Sequence, residues 1–357
     1  MIRINKNKSK TTGREYLEIC DDKLCVAHNY FTVNSFLSDG SGVVLSVFEN
    51  DGTTKPPCRY FVIDLASGEY EYLTEASGWE TGGVSCDNKL YYSEKNNLYC
   101  TDVISKKTDL LWTAPENKAF HGPVSSTNDG RYLGVYWSEK EENSTFGVFD
   151  TYTREMKIVT EVSFMPPFTF ADHGMICPTD PALMFFAHEG SCFYITDRLW
   201  LLNTVTGERH NLFRQRLTDS GANADCVGHE IWKHDGSGLF FCKYAVSPEE
   251  PRGIYFCDLD GNAKCINSDA NHWHVAVDSE GLYTVSDTGS AGVESDIILT
   301  DIRSGQAVKL EHVDRWPNHP GHPHPCFSPD GKNVIYTFKK DDGNLAVAVM
   351  NIKDMRN

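Results

Sequence analysis

Short apolar stretches separated by glycine-containing turns recur along almost the whole sequence, and this recurrence limits the available folds more than any other feature. The turns read "SDGSG", "NDGRY", "TGERH", "HDGSG", "LDGNA", "RSGQA" and "SPDGK". Between them lie runs rich in Val, Ile, Tyr and Phe, among them "GVVLSVF", "LYYSE", "LGVYWSE", "LMFFAHE", "GLFFCKY" and "NVIYTFK". Such runs are strands, and no segment sustains a helical apolar period, so an all-β protein with little helix is expected. Seven units can be laid out, at about 30 to 75, 79 to 114, 122 to 162, 168 to 213, 226 to 268, 271 to 313 and 322 to 355. Repeats of about forty residues with four strands are blades of a β-propeller. The chain, residues 1 to 357, is therefore expected to form a single seven-bladed β-propeller domain. The last unit lacks a fourth strand, and "TTGREYLEIC" near the N-terminus resembles the missing element. Pairing of residues 14 to 20 with the unit at 322 to 355 would close the ring and remove open sheet edges.

Composition excludes several classes of function. The formal net charge is −17 and no basic block offsets it, so no nucleic-acid partner and no anionic membrane partner are expected. The start, "MIRINKNKSKTTGREY", has no apolar core of a signal peptide, and no stretch is long and apolar enough to span a bilayer. Twelve cysteines are scattered singly without CxxC spacing. They read as reduced, buried thiols, and a cytoplasmic location is expected.

The repeat gives the histidines a register. Counting back six positions from the acidic residue before the turn glycine in units five, six and seven (Asp235, Glu280, Asp330) lands on His229, His274 and His324. Counting back eight in the last two lands on His272 and His322. The first strand of each blade lines the central channel, so equivalent positions in consecutive blades converge at its mouth. Three neighbouring blades would then aim imidazoles at one point, a metal or catalytic site. The bland alternative is hydrogen bonding between blades, and it is preferred for His272. His210, His234 and His312 stand at strand ends or before turns and are expected to face solvent.

Unit four holds a second concentration, "DHGMICPTDPALMFFAHEGSCFYITDRLWLLN". Arg198 has the fork geometry that suits a carboxylate, although a salt bridge between blades accounts for it equally well. His173 and His188 in this stretch are further candidates for contacts to a substrate.

The runs "CPTDPALMFFAHEG", "DRLWLLNTVTGE", "GHEIW" and "HPHPCFSPDGK", in this order, resemble the oligogalacturonate lyases, with the likeness densest from about 173 to 337. The resemblance implies a seven-bladed propeller that cleaves short pectin-derived uronides. It implies a divalent metal, typically manganese, held by His274, His322 and His324 with a fourth ligand at His319, where the family has glutamine. A fourth imidazole would favour Zn²⁺, Ni²⁺ or Co²⁺ more than an amide oxygen does. It also implies His229 as the catalytic base and Arg198 as an active-site arginine. After "HEG" the chain has Ser191 and Cys192, where the family usually has proline and a bulky residue.

The implied chemistry is β-elimination. A base removes the C5 proton beside a carboxylate, the C4–O bond breaks, and positive charge on the carboxylate stabilises the charge that develops. The expected partner is a small anionic oligosaccharide, whether galacturonide, glucuronide or rhamnose-linked uronide. A non-catalytic propeller that binds protein or glycan is the alternative. A peptidase-associated propeller is disfavoured, because no GxSxG nucleophile is present.

Overall fold

The computed structural model describes residues 1–140, 142–289 and 292–356. Its strands form seven antiparallel sheets in ring order, the seven-bladed propeller expected from the repeat. The first blade runs from Cys25–His28 through Gly42–Phe48 and Cys58–Asp64 to Tyr70–Ala76, and the second from Gly83–Val84 to Thr108–Thr113. The third contains Ser125–Ser126, Tyr132–Ser138, Ser144–Asp150 and Glu155–Val162, with Ala119–Phe120 also pairing on Tyr132–Ser138. The fourth runs from Ala171–Ile176 to Arg209–Phe213, the fifth from Val227–Trp232 to Ala263–Asn267, and the sixth from His272–Val277 to Ala307–Asp314. Two 3-10 turns, Trp79–Thr81 and Lys353–Met355, are the only helical elements among the described residues.

First strands lie innermost. A central channel of about 660 Å³ is lined by Asn34, Val84, Ser125, Ile176, Ile231, Ala276 and Phe327, one from each blade. The turn glycines that mark the repeat have a physical cause. Gly40, Gly130, Gly236 and Gly331 have φ between 66° and 73°, a region that other residues enter at a cost. The aspartate before each of them accepts a hydrogen bond from the amide two residues on, at 2.9–3.1 Å. These turns fix where each inner strand ends, and so fix the register of the residues before it.

The seventh blade closes the ring as expected, with one addition. Glu15–Cys20 pairs with Leu345–Asn351, matching Tyr16 with Met350 and Ile19 with Val347. Arg3–Lys8 then pairs outside it, so the strand at 15–20 is internal rather than the outer strand. The true edge carries Arg3, Lys6 and Lys8, a charged strand that resists pairing with another chain. Its sequence "RINKNK" reads as a polar stretch because only one face of it packs. Ile2, Ile19, Val347 and Val349 meet in a core shared by blades one, six and seven.

Candidate metal centre and active site

Bulged inner strands build the site. Pairing between first and second strands is interrupted at the same place in blades four, five and six, between Asp172 and Met175, Gly228 and Ile231, and His272 and Val275. A bulge adds an unpaired residue and re-aims side chains. His173 (φ 56°), His229 (φ 57°) and His324 (φ 47°) occupy the left-handed region, which costs a residue with a Cβ about 1–2 kcal/mol. The same backbone conformation thus recurs on three histidines around one channel mouth.

His274, His322 and His324 bring one ligand nitrogen each within 4.8 Å of one another, and all three are buried. The hydrogen bonds define which nitrogens are bare. His274 Nδ1–H donates to the Asp287 carboxylate at 2.8–2.9 Å, leaving Nε2 buried without a partner. His322 Nε2–H donates to the Pro317 carbonyl at 3.0 Å, leaving Nδ1 bare, and His324 Nε2 is bare as well. Burial pushes His274 and His324 well below the ordinary histidine value and His322 down to about 4. The three rings are thus neutral and each keeps a bare nitrogen, the state a metal requires of imidazole. A cluster of bare buried nitrogens is costly unless something occupies it, so these residues fit a metal ion.

His319 lies beside this triad. Its ring is 4.3 Å from that of His322 and is stacked on His324 at 4.9 Å, and its Nδ1 is also bare. Trp79, 1% exposed, stacks against both His319 and His324. Asp287 and Trp79 were not singled out from sequence. Asp287 lies on the second strand of its blade, where the histidine register carries no information. Trp79 lies eight positions before Asp87, the offset of His322 before Asp330, so the register count could have found it.

His229 adjoins the triad, its ring 4.0 Å from that of His274. Its Nδ1 is 2.6 Å from the Trp273 carbonyl, which can only accept, so the proton sits on Nδ1 and Nε2 is the basic nitrogen. The Tyr244 hydroxyl stands 3.2 Å from the same Nδ1. Burial holds the ring well below the ordinary histidine value, hence neutral.

Next to His229 is a charged network. Arg198, 6% exposed, donates from Nε to Glu230 at 2.6 Å and pairs through Nη2 with Glu189 at 3.0 Å. Glu230 also accepts from His173 Nδ1 at 3.3 Å. Burial opposes charge on His173, yet Glu230, Asp172 and Glu189 outweigh it and raise the ring to about 9. Asp172, His173 and Glu189 also come within 4.8 Å of one another, but here the guanidinium of Arg198 and the imidazolium already supply the cations. His173 and His319 both line a cavity of about 160 Å³, together with Tyr30, Lys55, Glu80 and His121.

The other histidines singled out in the sequence have different surroundings. His188 commits Nδ1 to Asp197 at 2.8 Å and Nε2 to the Phe168 carbonyl at 2.9 Å, leaving no nitrogen for a substrate. It braces the fold, contrary to the expectation from sequence. His272 is likewise held by Ser286 and Asn267, both at 2.7 Å, as its bland reading required. His210, His234 and His312 are exposed.

A family model described as oligogalacturonate lyase matches residues 3–355. The oligogalacturonide lyase of Pectobacterium atrosepticum is 23% identical, over 96% of this chain and 94% of its own. The oligogalacturonate lyase of Dickeya dadantii is 22% identical, over 97% and 95%. A solved structure of an oligogalacturonate lyase in complex with manganese superposes with a TM-score of 0.82 at 20% identity, covering 98% of this chain and 96% of that one.

Proposed function

The chain belongs to the oligogalacturonate lyase family, and on that premise we propose that it cleaves short galacturonides by metal-dependent β-elimination at the mouth of its propeller. The observation that carries this reading is the convergence of three bare, neutral imidazole nitrogens beside a fourth neutral imidazole whose free nitrogen is Nε2. His274, His322 and His324 would hold the ion, with His319 as a fourth donor. Manganese is the candidate suggested by the manganese-bound relative. A divalent ion there would neutralise the uronate carboxylate and so stabilise negative charge developing at C5.

His229 acts as the base. The C5 proton passes to Nε2, and the Trp273 carbonyl keeps hold of Nδ1–H, which becomes a stronger donor as the ring gains charge. General-base assistance of this kind contributes about 10²–10⁴-fold. Arg198 is anchored by Glu230 and Glu189 and adds fixed positive charge, with Nη1 outside both of these contacts. The twelve cysteines are all free, which suits the reducing conditions of a cytoplasmic enzyme. No helix among the described residues is long and apolar enough to cross a membrane.

The test is a panel of short uronides, followed by ultraviolet absorbance of the unsaturated product, with and without chelator. Turnover of a galacturonide that is lost to chelator and restored by Mn²⁺ is expected. Absence of product from every uronide at saturating metal would contradict the reading and favour a non-catalytic binding propeller.

A further inference from the structure

β-Elimination leaves one demand that the groups above do not meet. Expelling a sugar oxygen as an alkoxide is difficult, and neither the base nor charge on the carboxylate side protonates the oxygen leaving C4. We propose that His173 is the general acid, donating the proton on Nε2 to that oxygen. The inference rests on the lyase reading.

Placement is the first argument. His173 is the fourth-blade counterpart of His229: both sit in the bulge of an inner strand, with φ of 56° and 57°. The two blades are adjacent, so one device presents both rings at the same mouth from neighbouring positions. Nitrogen accounting is the second. His173 Nδ1 faces Glu230 at 3.3 Å, whereas Nε2 is 4.0 Å from Glu189, too far for a hydrogen bond. The ring keeps partial exposure and lines the cavity that His319 borders from the metal side. Charge is the third. Glu230, Asp172 and Glu189 outweigh the burial of the His173 ring and raise it to about 9, so it carries a proton to give.

The step balances. The C5–H bond breaks and its proton goes to His229 Nε2, while its electron pair forms the C4=C5 double bond. The C4–O bond breaks with its pair on oxygen, which takes the proton from His173 Nε2. Base and acid have then exchanged states, and one proton passed through solvent from His229 to His173 restores both. Glu230 and Glu189 face the ring and favour its return to the charged state.

The experiment compares His173→Gln with the unaltered protein on digalacturonate and on a galacturonide carrying 4-nitrophenoxide at C4, whose departure needs no proton. Expected for His173→Gln is a loss of about 10²–10⁴-fold in kcat on digalacturonate. KM should change little, metal content should be retained, and the aryl ether should be cleaved within about tenfold of the unaltered enzyme. His173→Lys, which restores a proton donor, should recover part of the digalacturonate rate. Equal losses on both substrates, or a raised KM with kcat kept, would overturn the assignment, the latter making His173 a carboxylate-binding group. If the unaltered, metal-loaded protein cleaved neither substrate, the lyase reading itself would fail instead.

Discussion

Asp287 accepts hydrogen bonds from the ring and backbone amide of His274 and from the amide of His324, and it is fully buried. One carboxylate thus sets the tautomer of His274 and the position of His324, two of the proposed ligands. Asp287→Asn preserves shape but replaces the carboxyl oxygens that accept from His274 Nδ1–H, and metal affinity should fall about 10–100-fold. Calorimetric titration of metal-depleted protein measures this. A second residue-scale prediction concerns stability. Burial alone would raise the carboxyl of Asp225, but Arg216 and Lys243 draw it down to about 2. A depressed carboxyl stabilises the fold above its unfolded value, near 4, and that contribution disappears as pH falls towards 2. Urea unfolding should therefore show about 2 kcal/mol lost over this range, beyond the loss seen in Asp225→Asn. His229, His274 and His324 were legible as a group in the sequence because the repeat gave them a common offset from a turn, whereas His319 entered through the family resemblance alone. Asp287 and Glu230 were not, since a buried acid reveals its partner only when strands from distant segments are brought together.

Inner strands act through their bulges. Gly228 opens the bulge of blade five, and a Cβ there would lie 2.0 Å from the Tyr244 hydroxyl oxygen. Gly228→Ala should displace Tyr244 and the ring of His229 that it touches, lowering kcat at least tenfold with a stability cost of about 1–3 kcal/mol. A variant with unchanged kcat would show that the bulge does not set the base. The offset from turn to histidine was countable in blades five to seven, where an acidic residue and glycine mark the turn. It was invisible in blade four, where Thr179 replaces the acid and proline surrounds it, so His173 entered as a substrate contact rather than as the counterpart of His229. The edge strand Arg3–Lys8 escaped notice for a related reason: strands packed on one side show few apolar residues.

At the scale of the molecule, function depends on the ring being closed. The proposed metal ligands come from blades six and seven and the proposed acid and base from blades four and five, so an opening at the seventh blade would loosen the mouth. Removing residues 1–20 deletes Ile2, Ile19 and Cys20 from the core and bares the strand Leu345–Asn351. Tm should fall by roughly 10 °C or more, with aggregation that grows with concentration. The fold was legible in outline because turn chemistry recurs in most blades, while the division of labour among the histidines was not, because the residues proposed as ligand and as base share one register. His229→Ala separates them. Metal content and turnover of galacturonide should be measured on the same preparation. We expect about one divalent ion per chain, as in the unaltered protein, with kcat reduced by about 10²–10⁴-fold. Loss of the ion in parallel with activity would make His229 a ligand and contradict its assignment as the base.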